Sequence, residues 1–119
     1  MTKIFWDATP PTSRQFVADP AQGSRHNRGA AVDLTLYSLA TGKPVVTTGR
    51  YDEFSGRSYS NFVGGSDHQR WLREMLRSAM EAQGFVVYPE EWWHYDFGSW
   101  AEYPIGNASF EQLRMETAR

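Results

Sequence analysis

A chain of 119 residues and 13.6 kDa has room for one hydrophobic core and no second, so a single domain over 1–119 is expected. Twelve basic against 14 acidic residues give a net charge of −2, which offers no basis for tracking phosphates and excludes nucleic acid as an expected partner. The absence of cysteine removes a disulfide framework, a thiolate metal site and a cysteine nucleophile, so any metal must be held by histidine and carboxylate.

Five Trp, six Tyr and seven Phe supply large apolar side chains for a core despite a mean hydropathy of −0.59. No apolar run approaches the length of a membrane span, and Met1–Asp7 contains no apolar stretch of the kind a secretion signal needs. A cytoplasmic protein with no membrane partner is expected, with a periplasmic one as the alternative if the N-terminus is truncated.

Residues 1–23 carry Pro10, Pro11, Pro20 and Gly23 without helical or alternating periodicity and read as an irregular lead-in. From Ala30 to Tyr37 the pattern alternates, with Val32, Leu34 and Leu36 on one face of a strand and Asp33 and Thr35 on the other. Thr41–Pro44 reads as a turn and Val45–Thr48 as a second strand, making a hairpin with the first. Residues 49–65, rich in Gly, Ser, Tyr and Asn, predict a long loop bordering a site and packed by Tyr51, Phe54, Tyr59 and Phe62.

Ser66 to Gln69 forms a capping-box start. Trp71, Leu72, Met75, Leu76, Ala79 and Met80 then recur at helical spacing until Gly84, with Arg70, Arg73 and Arg77 on the wet face. Phe85–Tyr88 and Trp92–Phe97 read as two further strands joined across Pro89 and Glu90, and the tail over 110–119 as a short helix or a frayed end. The pattern predicts an α+β fold: a small, largely antiparallel sheet with one main helix packed on it.

Two histidines sit in dense polar constellations. Ser24-Arg25-His26-Asn27-Arg28-Gly29-Ala30-Ala31-Val32-Asp33 places a turn-forming glycine between His26 and Asp33, so that the two side chains could converge. Glu90-Glu91-Trp92-Trp93-His94 sets a carboxylate three residues before a histidine. A catalytic zinc takes three protein ligands and keeps a fourth position open, and His26, Asp33 and His94 form that set. Glu91, near His94 but not ligating, fits a base that moves the proton of an attacking water. A regular strand would put 91 and 94 on opposite faces, so Glu91 is expected at an irregular strand entry. The competing account is a packed, hydrogen-bonded His94 beside its tryptophans; His68, in the first helical turn, reads as structural or solvated.

The pattern Ser-x-His-x-x-Gly-x-Ala-x-Asp, here Ser24 to Asp33, followed by Glu-Trp-Trp-His, here Glu91 to His94, resembles the D-alanyl-D-alanine dipeptidases from about Val17 to Phe97. That resemblance implies the fold shared with related D,D-peptidases. It also implies one zinc per chain on His26, Asp33 and His94, with Glu91 as general acid/base and a small dipeptide as substrate. It further places Asp52 against the substrate's amino group and Ser24 close to the bound dipeptide.

The implied activity is zinc-dependent hydrolysis of D-alanyl-D-alanine in peptidoglycan metabolism. The alternatives are a related peptidoglycan D,D- or L,D-carboxypeptidase, or a shortened, inactive zinc-binding remnant. Members of the family carry additional N-terminal sequence and an arginine in an Asp-Ala-Tyr-Arg-Pro-like segment. Here Asp7-Ala8-Thr9-Pro10 stands in that place, leaving Arg14 as the nearby candidate to stabilise the transition state and implying slow turnover.

Overall fold

In the computed structural model, which describes residues 6–106 and 108–117, the longest element is helix α1, Asp67–Glu81. Its start is closed reciprocally: the Ser66 hydroxyl accepts from the Gln69 N–H at 3.1 Å, and the Ser66 N–H donates to the Gln69 side chain at 2.9 Å. Asp67 in the first turn complements the positive end of the helix. Leu72 and Leu76 are buried and Met80 packs half-buried against the core, so that part of the predicted apolar stripe faces inward, whereas Trp71, Met75 and Ala79 are exposed.

That helix lies on a three-stranded, wholly antiparallel sheet of β1 (Ala31–Asp33), β2 (Phe85–Tyr88) and β3 (Glu91–Phe97), ordered β1-β3-β2. Leu76, Val87, Trp92, Trp93 and Tyr95 make the core between helix and sheet. The α+β architecture expected from the sequence is the one observed. Among the described residues no helix is long and apolar enough to cross a membrane.

β3 runs in regular register along β1, with Ala31 opposite Asp96, Val32 opposite Tyr95 and Asp33 opposite His94. Along β2 the register breaks: Val87 pairs with Tyr95, but the next residue, Tyr88, pairs with Glu91. Trp92, Trp93 and His94 therefore have no partner on β2. The break is the irregular strand entry expected around Glu91.

Three expectations are corrected. The hairpin between 30–37 and 45–48 is not a ladder: β1 stops at Asp33 and pairs with β3. Only an isolated Tyr37–Pro44 bridge survives, flanked by the Ser38 N–H to Lys43 C=O and Val45 N–H to Leu36 C=O bonds. Pro44 has no N–H to extend the pairing, and beyond it Thr47 and Thr48 turn inward as buried hydroxyls.

The 49–65 loop is not packed mainly by its aromatics: Tyr51, Phe54 and Tyr59 are exposed, although Tyr51 lies beside Trp93 and Phe62 is half-buried. Small hydroxyls hold it instead: Ser58, fully buried, donates to the Glu53 carbonyl, and Thr47 donates to the Gly49 carbonyl at 3.0 Å. Short polar side chains can satisfy backbone carbonyls in a segment that has no ladder.

Arg73 is not on the wet face. It is 6% exposed and donates to the Phe62 carbonyl at 2.9 Å and to Thr48 Oγ1 at 3.3 Å, tying the helix to the loop. Arg70 donates to the carbonyls of Val63, Gly64 and Gly65, whereas Arg77 pairs with Glu81 at 2.8 Å as a surface residue.

The lead-in contains a short 3-10 helix, Pro11–Phe16; residues 1–5 of it lie outside the described residues. The tail forms helix α2, Phe110–Thr117, started by a reciprocal Ser109–Gln112 pair, with residues 118 and 119 outside the described residues.

Removing the buried guanidinium would strand the Phe62 carbonyl. Arg73→Ala is expected to lower unfolding stability by about 1–3 kcal/mol, and Arg77→Ala by less than about 0.5 kcal/mol. Urea denaturation of both variants measures the difference.

Candidate metal centre

His26 lies in a single-turn 3-10 helix, Arg25–Arg28, whose start is capped by Ser24: its hydroxyl accepts from the His26 N–H at 3.2 Å, and its own N–H donates to Asn27 Oδ1 at 3.1 Å. Gly29 closes the turn at φ +66°, a conformation that strains any residue with a Cβ, and directs the chain into β1. The result is that His26 Nδ1 stands 3.1 Å from the Ala31 carbonyl. A carbonyl only accepts, so Nδ1 carries the hydrogen and Nε2 offers its lone pair. Nε2 is 3.2 Å from Asp33 Oδ1.

Asp33 and His94 face each other across β1 and β3, and Asp33 Oδ1 is 3.0 Å from His94 Nδ1. The two imidazoles meet edge to face with ring centroids 4.7 Å apart. One donor atom from each of His26, Asp33 and His94 lies within 4.8 Å of the other two. Two imidazole nitrogens and a carboxylate oxygen are a donor set suited to zinc or a similar divalent cation. His26 and Asp33 are open to solvent while His94 is buried, so the cluster is reachable from one side.

Glu91 stands outside this donor group, 3.7 Å from His94 Nδ1. Burial pushes its carboxyl up to about 7; the charge of His94 opposes that shift, and those of Asp33 and Asp52 add to it. Burial also resists ionisation of Asp33, but the adjoining imidazoles of His26 and His94 overcome it and hold that carboxyl well below the ordinary range. His94 is disfavoured as a cation by its burial and favoured by its bonds to Asp33 and Asp96, with a net rise in its pKa.

Asp52 sits at the edge of this group in the 49–65 loop. Its backbone has φ +62°, a left-handed conformation that aspartate and asparagine tolerate better than most residues. Burial and the charge of Asp33 raise its carboxyl pKa. Ser24 acts in the structure as the cap of the helix that carries His26. The Arg14 guanidinium lies over the Trp6 ring at 4.8 Å and donates to the Thr9 carbonyl at 3.3 Å; no described contact joins it to the cluster. His68 is exposed and stacks on Trp71.

Sequence reasoning passed over several neighbours of the cluster. Asp96 bonds His94 Nε2 at 2.8 Å and pairs with Arg25. Tyr88 meets His94 edge to face at 5.5 Å, and Tyr51 packs beside Trp93. Burial and the charges of Asp33, Asp52 and Glu91 raise the phenol pKa of Tyr51. The period-two alternation of a strand, which puts 94 and 96 on one face, was the signal available for Asp96.

Comparison with known proteins bears on the whole arrangement. A D-alanyl-D-alanine dipeptidase from Enterococcus faecium is 44% identical over 89 residues, covering 75% of this chain and 43% of the relative. One from Escherichia coli is 33% identical over 102 residues, covering 86% of this chain and 51% of the relative. A third, from Synechocystis, is 38% identical over 96 residues, covering 70% and 38%. The chain thus spans about half or less of the length of these relatives. The family model for D-Ala-D-Ala dipeptidases matches residues 6–112, which takes in every residue of the cluster and both strands that hold it, and the chain belongs to that family.

Proposed function

We propose that the chain is a zinc-dependent peptidase that hydrolyses D-alanyl-D-alanine in peptidoglycan metabolism. One observation carries the reading: two imidazole nitrogens and a carboxylate oxygen converge within 4.8 Å, with a half-buried carboxyl poised near neutrality beside them but outside the donor set. His26, Asp33 and His94 would hold the zinc, which when bound supplies Lewis-acid polarisation of a carbonyl and acidifies water.

Glu91 takes a proton from the attacking water as the water oxygen bonds to the scissile carbonyl carbon. It returns that proton to the departing amine as the C–N bond breaks, leaving two alanines and a regenerated carboxylate. Asp52 pairs with the ammonium end of the dipeptide, and Ser24 lies along the substrate, its hydroxyl also setting the helix of His26. The zinc-binding remnant is the second reading. It is favoured by Pro10, which offers neither charge nor donor, and by the engagement of Arg14 with Trp6 and Thr9.

Zinc analysis and D-alanyl-D-alanine hydrolysis on one preparation test the proposal. Zinc with dipeptide turnover supports it, zinc without turnover on any substrate favours the remnant, and preference for a stem pentapeptide favours a carboxypeptidase. His94→Ala is expected to lose zinc. Chelation of the parent protein should lower its unfolding stability by about 2.7 kcal/mol when free zinc had stood at 100 times its Kd, read by thermal melts with and without chelator.

Glu91→Gln keeps the shape of the side chain but cannot accept a proton, so kcat should fall by about 100- to 10,000-fold with zinc still bound. Wild-type turnover in that variant would remove Glu91 from the mechanism.

Asparagine tolerates the left-handed backbone at position 52 as well as aspartate does, so Asp52→Asn isolates the charge. An ammonium contact worth roughly 1.5–3 kcal/mol predicts a loss of about 10- to 150-fold in kcat/KM on the free dipeptide, and a much smaller loss on an N-acylated analogue. Equal losses on the two substrates would assign Asp52 to the loop instead.

A further inference from the structure

The two ring nitrogens of His94 have different neighbours. Nδ1 faces Asp33 at 3.0 Å and Glu91 at 3.7 Å, whereas Nε2 faces Asp96 Oδ1 at 2.8 Å. His94 and Asp96, two apart on β3, carry their side chains to one face of the sheet, and both residues are buried, at 7% and 5% exposure. An ionised carboxylate accepts hydrogen bonds and donates none, so its partner nitrogen must carry the hydrogen. A neutral imidazole has only one N–H, and placing it on Nε2 leaves the Nδ1 lone pair pointing at the cluster.

The other Asp96 oxygen pairs with Arg25. That guanidinium is itself fixed, lying over the Trp100 ring at 4.1 Å and near the Tyr88 ring at 5.6 Å, and Tyr88 in turn meets His94. Arg25 precedes His26 in the same short 3-10 helix. Arg25, Asp96 and His94 thus form a chain of contacts from the element that carries one imidazole to the strand that carries the other.

We propose that Asp96, held by Arg25, is a positioning residue of the metal centre. It fixes His94 as the Nε2–H tautomer with Nδ1 toward the cation, and through Arg25 it sets the spacing of the His26 helix against β3. The inference rests on the reading of His94 as a metal ligand, and it adds a carboxylate behind that ligand which touches neither substrate nor cation. Groups in this position orient a ligating imidazole and raise its basicity.

The test is zinc affinity, by competition with a chromophoric chelator, on the full chain and its variants, together with long-range nitrogen–proton NMR of the histidine-labelled, zinc-loaded protein. Asp96→Ala is expected to bind zinc roughly 10- to 100-fold more weakly and to lose the bonded Nε2–H signal of His94. Asp96→Asn, whose amide oxygen still accepts, should keep the signal and recover most of the affinity, a rescue that a purely structural role for the charge would not give. Arg25→Met, at a half-exposed position, should weaken zinc binding by a smaller factor.

Wild-type affinity in Asp96→Ala overturns the proposal, and so does an Asp96→Asn variant no better than Asp96→Ala. The NMR measurement on the unsubstituted protein needs no variant to fold, and coordination through Nε2 of His94 would also overturn it. Unchanged zinc affinity in His94→Ala overturns the ligand reading itself, and this inference with it.

Discussion

The pairing of Asp33 with His94 across β1 and β3 sets the geometry on which the site depends. Directly opposed residues of an antiparallel pair share a face, which brings a carboxylate and an imidazole to 3.0 Å without help from any loop. A slip of one residue would turn His94 into the core and send an aromatic ring toward the cluster. Tyr95 and Val87, packed with Leu76 on the helix side, and the Leu34 N–H to Trp93 C=O bond at 3.0 Å oppose that slip. On the other side of β3 the break in register against β2 lets the successive residues Trp92 and Trp93 both enter the core, which strict alternation forbids. One irregularity thus anchors the strand with two indoles and leaves Glu91 beside His94.

Charge supports the proposed binding of a cation and an amine at this site. Asp33, Asp52 and Glu91 crowd one another closely enough that Asp33 raises the pKa of the other two. Asp96 is paired off by Arg25, and imidazoles are neutral when they ligate a metal. The remaining carboxylates carry an excess of negative charge in a partly desolvated cluster, where like charges are costly. A dication among His26, Asp33 and His94 and an ammonium at Asp52 would each relieve that repulsion, the first at the donor cluster and the second at its edge.

How legible these features were in the sequence follows from how local their causes are. The main helix was readable because its capping box and its Leu72–Leu76 stripe lie within a few residues of each other, and β2 and β3 were readable from their aromatic and β-branched runs. The convergence of His26 and Asp33 was foreseeable because the glycine that permits it, Gly29, lies between them. The hairpin failed because alternation reports a face and not a partner: β1 pairs with a strand some sixty residues later, a choice made by the core and not by the nearby turn. Arg73 misled for a related reason. Helical spacing placed it beside Arg70 and Arg77, but the loop that folds over it supplies acceptors that periodicity cannot register. Asp96 was visible as a residue and invisible as a partner, since Arg25 reaches it only once the 3-10 helix packs beside β1 and β1 pairs with β3.

On the proposed reading, metal binding and turnover would depend on separable parts of this arrangement. The residues assigned to zinc, and Glu91 with them, fall between positions 26 and 94, held by the β1–β3 register and the Gly29 turn. Stabilising the charge that develops on a substrate oxygen needs a donor aimed at that oxygen, and losing one such donor costs about 100- to 1,000-fold in kcat without disturbing ligands elsewhere. Pro10 stands where the family resemblance places an arginine, and Arg14 is drawn to Trp6 and Thr9. If the proposed reading holds, such a protein would bind zinc fully and still turn over slowly, because the interactions that place the imidazoles are settled in the fold whereas an oxyanion contact forms chiefly in the transition state.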